Sequence, residues 1–215
     1  MASEYRRLLI DLGTGDGKAV LAAAAADSKC LVVGVDANAA GMIEASRRAA
    51  RPGARGLPNA VFVAAAVERL PVELTAVADD VTVNFPWGSL LRGLLAPEPT
   101  VLGAVAGTMK PGAQLRVVFS VTDHDGIAGV PTVDDAAGVG HLAMPYAAAG
   151  LQIDAVRPAG EADVEASSWG KRLRAGSQRS TWLLRAQRTK DPQPASICSR
   201  RMSACPQWCA SSRST

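Results

Sequence analysis

The sequence predicts an α/β fold, with a doubly wound, mostly parallel sheet between two layers of helices. Short apolar runs alternate along the chain with alanine-rich stretches of helical length, which is the pattern of repeated βαβ units. These apolar runs are continuous, as is typical of parallel strands buried on both faces. With 215 residues, 48% of them hydrophobic, the chain can bury one substantial core. We expect a single domain over residues 1–188.

The first half of the chain shows this alternation most clearly. Strands are predicted at residues 8–12, 31–35, 61–65 and 81–85. Helices are predicted at residues 19–26, 39–50, 88–95 and 101–109. Lys110-Pro111-Gly112 has the composition of a turn, and it precedes a further predicted strand at residues 114–121. Such a series implies right-handed crossovers within one sheet.

The second half of the chain is less regular. After an Asp- and Gly-rich loop, we expect a helix at residues 133–149 and strands at 151–156 and 181–186. The stretch between these two strands carries the segment Ser167-Ser168-Trp169-Gly170-Lys171-Arg172. Residues 189–215 are rich in Ser, Pro, Gln, Arg and Cys without periodicity, so they are predicted to form a disordered tail.

Charge and composition exclude several classes of protein. Residues 185–215 contain six Lys or Arg and one acidic residue, whereas residues 1–184 contain 17 and 19, so the net charge of +3 arises at the C-terminal end and the rest of the chain is slightly acidic. No apolar run approaches the roughly 18 residues of a membrane span, and the start does not have the pattern of a signal peptide. The cysteine spacings match no zinc pattern, so no metal site is predicted. We expect a cytoplasmic, monomeric protein without a membrane partner.

Two basic clusters are candidate contacts for nucleic-acid phosphates. The first consists of Arg47, Arg48, Arg51 and Arg55, and the second of Lys171, Arg172, Arg174 and Arg179. An ordinary solvated helix face is the alternative interpretation of either cluster taken alone.

A glycine-rich loop follows the first predicted strand and opens the first helix, in the segment Asp11-Leu12-Gly13-Thr14-Gly15-Asp16-Gly17-Lys18. Glycines let a ligand approach the backbone, and a helix N-terminus offers free N–H groups. The Gly-x-Gly-x-Gly spacing differs from the Gly-x-Gly-x-x-Gly of dinucleotide folds. The preceding Asp11 suits a ligand with a cationic amino-acid end, such as S-adenosylmethionine. The candidate cofactor residues here are Asp11, Gly13, Thr14, Gly15 and Asp16.

Two further strand ends complete the predicted cofactor site. Asp36 ends the second strand, where an acid can accept hydrogen bonds from both ribose hydroxyls. Val67 and Glu68 follow the third strand, where we expect adenine to lie against Val67. An ordinary loop ion pair is the alternative for Glu68 and Arg69. Together these features predict a class I S-adenosylmethionine-dependent methyltransferase, whose fold is a Rossmann-like, doubly wound sheet of seven strands.

The fourth predicted strand ends in the segment Asn84-Phe85-Pro86-Trp87. Pro86 restricts the turn, and Trp87 would present an aromatic face beside the methyl donor, in position to stack on a base. Many amine-methylating enzymes of this class have an Asn/Asp-Pro-Pro-aromatic motif at the same place. Asn84 is offset from that motif, so we leave it out of the predicted site.

The sequence resembles the 16S ribosomal RNA (adenine-1408-N1) methyltransferases of the kanamycin–apramycin resistance family, over roughly residues 6–187. Four segments carry the resemblance, namely residues 11–18, 68–71, 85–93 and 167–173. Members of the family usually have an extra hairpin before the cofactor strand, whereas this sequence reaches Leu8 almost at once. The resemblance implies methylation of adenine 1408 in the 30S subunit, with S-adenosylmethionine as cofactor, and resistance to kanamycin and apramycin.

The resemblance also implies roles for individual residues. The target adenine would be flipped between Trp87 and Trp169, with Ser167 as a polar contact and Glu68 as an acid of the active site. Lys171 and Arg172 would contact phosphates.

Three alternatives remain open on the sequence alone. A methyltransferase for another RNA position or a small metabolite would keep the whole cofactor site and lose the two-tryptophan clamp. A nicotinamide oxidoreductase is favoured by Asp36, but Asp11 and the glycine spacing oppose it. A noncatalytic RNA-binding protein would retain the cofactor loop without its activity.

Overall fold

A computed structural model describes residues 4–120, 140–164 and 181–189. Its seven strands are β1 (Arg7–Leu12), β2 (Cys30–Asp36), β3 (Ala60–Ala64), β4 (Ala78–Asn84), β5 (Met109–Phe119), β6 (Leu151–Pro158) and β7 (Trp182–Arg188). Its helices are α1 (Lys18–Ala26), α2 (Ala39–Ala49), α3 (Gly88–Leu95), α4 (Pro99–Thr108), α5 (Ala143–Ala148) and α6 (Glu161–Val164). Short 3-10 turns lie at Gly53–Arg55, Val67–Arg69 and Val72–Leu74.

The strands form one sheet in the order β3-β2-β1-β4-β5-β7-β6. The first five strands are parallel, and β7 runs antiparallel to both of its neighbours, β5 and β6. The predicted doubly wound, mostly parallel sheet of seven strands is therefore confirmed. β1 pairs with β2 on one side and with β4 on the other, so the strand order reverses there. A crevice is expected at such a reversal, at the carboxyl ends of the strands.

Burial explains why the apolar runs are continuous. Ile10, Val33, Val81 and Leu115 occupy four neighbouring central strands and are almost completely buried. A strand covered by helices on both faces needs apolar side chains at successive positions, not at every second one.

Strand boundaries differ from the sequence prediction by up to five residues, and the largest difference is at the start of β5. Residues 110–112 were expected to be a turn, but β5 already begins at Met109. Ala78 of β4 pairs with Met109, whereas Asp80 pairs with Gln114, so the residues between them on β5 form an irregularity in the ladder. Lys110-Pro111-Gly112 has the composition of a turn, but pairing with β4 on both sides of it keeps this segment within β5. β4 ends one residue earlier than expected, at Asn84.

The later elements are described in part. Of the helix predicted at 133–149, residues 140–149 are described and contain α5. The predicted tail lies outside the described residues, apart from Thr189. None of the helices in the described part of the chain has the length and apolar character needed to cross a bilayer.

Candidate active site

One cavity lies at the carboxyl ends of β1, β2 and β4, where the strand order reverses. Its lining includes all of the residues predicted to bind the cofactor, together with Trp87 and Asn84. Those predicted cofactor residues are Asp11, Gly13, Thr14, Gly15, Asp16, Asp36, Val67 and Glu68. The sheet thus brings together the ends of four strands that lie far apart in the sequence, since Val67 and Glu68 follow β3.

The glycine loop forms one wall of the cavity through its backbone conformation. Gly13, Gly15 and Gly17 have φ values of 72°, 59° and 71°, a region that side-chain-bearing residues rarely adopt. A Cβ atom at Gly17 would lie 2.6 Å from both Ala45 Cβ and Phe62 Cε1. The loop is held to β2 because the amides of Gly13 and Thr14 both donate to the Val35 carbonyl. Only glycines permit this tight path between β1 and α1.

Asp36 supports the glycine loop. Its Oδ2 accepts a hydrogen bond from the Gly15 amide at 2.8 Å, and its Oδ1 accepts one from the Asn38 amide at 2.7 Å. Each carboxylate oxygen can accept a further bond, so the pair could still receive two ribose hydroxyls.

Asp11 is the buried acid of the site, with 3% of its surface exposed. Its Oδ1 accepts hydrogen bonds from the Thr82 hydroxyl at 2.7 Å and from the Asn84 amide at 3.0 Å. Burial raises the pKa of Asp11, and these two donors oppose the rise. The Thr14 hydroxyl lies near enough to oppose it too, but makes no well-formed hydrogen bond among the described residues. A cationic partner for Asp11 would lower the cost of its charge.

The turn after β3 supplies an apolar and an acidic group. Val67 is buried at the cavity wall, whereas Glu68 is exposed. A hydrogen bond from the Ser89 hydroxyl lowers the pKa of Glu68, so this acid is ionised at neutral pH. Arg69 acts on Glu68 only as a nearby charge, and the loop ion pair considered above is not the main interaction. Ser89 lies in the first turn of α3 and lines the same cavity.

The turn after β4 presents the aromatic side chain. Phe85 has φ of 51°, which is rare for a residue that precedes proline, and its amide donates to the Val118 carbonyl at 2.7 Å. Pro86 is buried and does not line the cavity. Trp87 lines the cavity and is 58% exposed. The buried turn therefore holds a large aromatic group at the boundary between cavity and solvent.

Comparison with known proteins identifies the family. The profile of the NpmA family, described as 16S rRNA (adenine(1408)-N(1))-methyltransferase, matches residues 1–188. The chain belongs to this family. A 16S rRNA (adenine(1408)-N(1))-methyltransferase of Escherichia coli is 34% identical over 189 residues, which cover 82% of this chain and 85% of the relative. The enzyme of the same description from Streptoalloteichus hindustanus is 35% identical, with 83% and 86% covered.

Solved structures agree with this assignment. A variant of the 16S rRNA (adenine(1408)-N(1))-methyltransferase from Catenulisporales acidiphilia, crystallised with the cosubstrate S-adenosylmethionine, superposes with a TM-score of 0.80 at 36% identity, covering 90% of each chain. The aminoglycoside resistance methyltransferase NpmB1 superposes with a TM-score of 0.73 at 38% identity, covering 87% of this chain and 90% of its own. The protein is thus an rRNA adenine-N1 methyltransferase whose cofactor is S-adenosylmethionine.

The cavity of this methyltransferase fits that cofactor. Asp11 is a buried carboxylate without a cationic partner among the described residues, and the cofactor has a cationic amino group. The Thr14 hydroxyl is buried in the cavity wall and lacks a hydrogen-bond partner among the described residues. Asp36 and Val67 supply an acceptor pair and an apolar surface, as a nucleoside requires. Groups of metal-ligating side chains do not occur in the described ranges.

Six residues predicted to hold the base or to contact phosphates lie outside the described residues, namely Trp169, Ser167, Lys171, Arg172, Arg174 and Arg179. The other basic cluster, Arg47, Arg48, Arg51 and Arg55, is exposed at the end of α2 and the turn after it.

Asn84, which was left out of the predicted site, lines the cavity and donates to Asp11. Thr82 was not predicted either, and its hydroxyl donates to the same carboxylate. Thr82 precedes Asn84 by two residues, so both side chains lie on the same face of β4. The sequence shows this polar pair at the end of β4, but only the pairing of β4 with β1 places it beside Asp11.

Proposed function

We propose that this methyltransferase modifies N1 of adenine 1408 of 16S rRNA within the assembled 30S subunit. The observation that supports this most is the position of Trp87. A tryptophan more than half exposed at the edge of a cofactor cavity is costly to leave in water and has no role in the core. A flipped base would cover its exposed face and lie next to the cofactor.

A two-sided clamp for the base accounts for the energy of flipping. Taking a base out of a duplex costs a few kcal/mol. Each aromatic platform returns about 1–3 kcal/mol by stacking. Trp87 alone would about balance the cost, whereas Trp87 and Trp169 together would hold the base. Ser167 would add a polar contact to the trapped adenine.

The chemistry needs positioning more than proton transfer. Adenine N1 has an in-plane lone pair and no proton to remove, so a general base is not required. When bound, the cofactor supplies a methyl group on a positively charged sulfur. Asp11 would hold its amino group, Asp36 its ribose and Val67 its adenine. The buried turn at Pro86 would fix the distance between Trp87 and the cofactor, so that the stacked adenine is within reach of the methyl group. Glu68 would orient the polar groups around that methyl group.

Recognition of the ribosome would depend on shape and phosphates. The two basic clusters, at residues 47–55 and 171–179, would contact phosphates, which position the enzyme without reading sequence. Residues 1–188 would act as a single methyltransferase domain and as a monomer. The tail at 189–215 would add only nonspecific attraction to RNA. Since its substrate is the ribosome, the enzyme would work in the cytoplasm.

Primer extension on treated subunits tests this proposal. Purified protein is incubated with 30S subunits and S-adenosylmethionine, and reverse transcription is then run across the decoding region. A methyl group on N1 blocks the Watson–Crick edge, so a stop is expected at adenine 1408. A matched reaction with naked 16S rRNA should give a much weaker stop, because the folded surface is missing. Incorporation of labelled methyl groups without a stop at 1408 would overturn the site assignment.

Drug susceptibility provides the cellular test. Expression in a susceptible host should raise resistance to kanamycin and to apramycin together, since the modified adenine carries a positive charge in the drug site. The Trp87→Ala variant, expressed at the same level, is the control and should leave the host susceptible.

A further inference from the structure

A chain of hydrogen bonds leads from the cofactor acid across the sheet to α6. Asn84 donates from its Nδ2 to Asp11, and its Oδ1 accepts a bond from Arg116 Nη1 at 3.3 Å. Arg116, on β5, also donates through Nη2 to the backbone carbonyl of Asp163 and lies 3.5 Å from the Asp163 carboxylate. Arg157 completes the far end, 2.8 Å from the same carboxylate. These bonds join residues on β1, β4, β5, β6 and α6.

The amide of Asn84 has only one orientation that suits both neighbours. With its oxygen toward Arg116 and its nitrogen toward Asp11, a donor meets an acceptor at each contact. The flipped amide would place its nitrogen against a guanidinium and its oxygen against a carboxylate, so both contacts would be repulsive. The side chain of Arg116 is permanently charged and only 27% exposed, so it fixes the orientation of the Asn84 amide.

The same guanidinium also contacts α6, the last described element before residues 165–180. Asp163 lies in α6, which ends at Val164, directly before residues 165–180. Its side chain is well ordered by three donors, namely Arg157, Arg116 and the Gly160 amide. Arg116 therefore contacts both the Asn84 amide and Asp163 of α6.

We propose that Arg116 is a positioning residue that keeps the Asn84 amide donating to Asp11. It concerns cofactor binding, and it rests on the proposed role of Asp11 as the acid that holds the cofactor's amino group. A charged donor polarises the amide it contacts and strengthens the next bond in the chain. Loss of Arg116 should thus weaken cofactor binding through Asn84, although Arg116 itself does not line the cavity.

A double-mutant cycle on cofactor affinity tests this coupling. Calorimetry of S-adenosylmethionine binding, without ribosomes, is run on the wild type, Arg116→Gln, Asn84→Ala and the double variant. Arg116→Gln should raise Kd roughly tenfold, as expected when a bond to a buried charged group loses its support. In the Asn84→Ala background the same change should alter Kd less than about twofold. Independent, additive effects would overturn the proposal.

The matched control is Arg157→Gln. It removes the other arginine from Asp163 but leaves the contact between Arg116 and Asn84 in place, so the Kd for the cofactor should stay within about twofold. An equal loss of affinity in both arginine variants would mean that cofactor binding depends on the anchoring of α6 and not on the hydrogen bond between Arg116 and Asn84, which would overturn the proposal.

Circular dichroism and thermal unfolding establish that each variant folds. If Arg116→Gln does not fold, the cycle is run with Arg116→Lys, which keeps a cation but not the two-pronged donor. Its smaller loss of affinity should also disappear in the Asn84→Ala background, and persistence there would overturn the proposal. Since these measurements contain no RNA, a failure of the adenine 1408 assignment would leave their outcome unchanged.

Discussion

The two sides of the cavity are built in different ways. The cofactor side is a short loop in which three glycines within five residues take left-handed conformations and bind the neighbouring strand through backbone amides. The aromatic side depends on contacts between distant parts of the chain, such as the bond from Asn84 to Asp11, 73 residues away. The glycine loop and Trp87 can both be read from local sequence, whereas the hydrogen bonds behind the aromatic side depend on how the strands assemble. Mutations on the two sides should therefore fail in different ways.

The largest effect is expected from crowding the glycine loop. Gly17→Ala should lower the free energy of unfolding by about 3 kcal/mol, since it adds left-handed strain to overpacking against Ala45 and Phe62. Gly15 has a similar φ, but a Cβ there would meet nothing within 4 Å. Gly15→Ala should thus cost only about 1 kcal/mol. Chemical denaturation of both variants checks this, and equal losses would mean that the backbone angle alone matters.

Removing the buried charge should weaken the cofactor without unfolding the protein. Asp11→Asn is expected to raise the Kd for S-adenosylmethionine about 30-fold, because a charge-assisted bond is lost and the new amide meets the donors Thr82 and Asn84. Calorimetry measures this directly. The control is Asp79→Asn, since Asp79 pairs with Lys110 at the opposite edge of the sheet and should not affect binding. An unchanged Kd for Asp11→Asn would remove Asp11 from the cofactor site.

On the aromatic side, the change should appear in turnover and not in cofactor affinity. Trp87→Ala is expected to lower kcat about tenfold or more, because one stacking surface of about 1–3 kcal/mol is lost. Trp87→Phe should recover part of the rate. Single-turnover methylation of 30S subunits gives the rate, and calorimetry should give a wild-type Kd for the cofactor. A Trp87→Ala enzyme with wild-type turnover would refute the stacking clamp.

The basic segment should affect docking rather than chemistry. Arg172→Ala is expected to weaken binding to 30S subunits and to reduce the slope of log affinity against log salt by about 1, as for a single lost phosphate contact. Filter binding over a range of salt concentrations measures both. Arg48→Ala tests the other basic cluster in the same way. A loss of affinity that does not depend on salt would point to a structural role for the arginine.

The smallest effect expected is a pH dependence that distinguishes the two ends of the hydrogen-bond chain. Burial raises the pKa of Asp11, so the cofactor-free protein should gain stability as pH falls through this raised pKa, while cofactor affinity declines over the same interval. Bonds from Arg157 lower the pKa of Asp163, so its stabilising contribution is complete above the ordinary aspartate pKa and disappears as pH falls through the lowered one. Calorimetry against pH should show the decline for the wild type but not for Asp11→Asn.

Much of the architecture could be predicted because its determinants are local. Continuous apolar runs indicated the parallel strands, and the glycine spacing after the first strand indicated the cofactor loop. The turn at residues 110–112 was misjudged because pairing with β4 on either side keeps it within β5. Asn84 was left out of the predicted site because it did not fit a linear motif, whereas its contact with Asp11 depends on the pairing of β4 with β1. Arg116 gave no local signal at all.

The sequence by itself determined the class of fold, the cofactor loop and the exposed aromatic turn, since strand burial, left-handed glycines and a proline turn act over a few residues. Only the tertiary structure decided which side chains surround Asp11. That choice depends on the sheet order, which sets β4 beside β1 and β5 beside β4, and so places Thr82 and Asn84 against a buried charge, with Arg116 behind Asn84. A buried carboxylate needs donors, and those that the fold supplies come from strands distant in sequence.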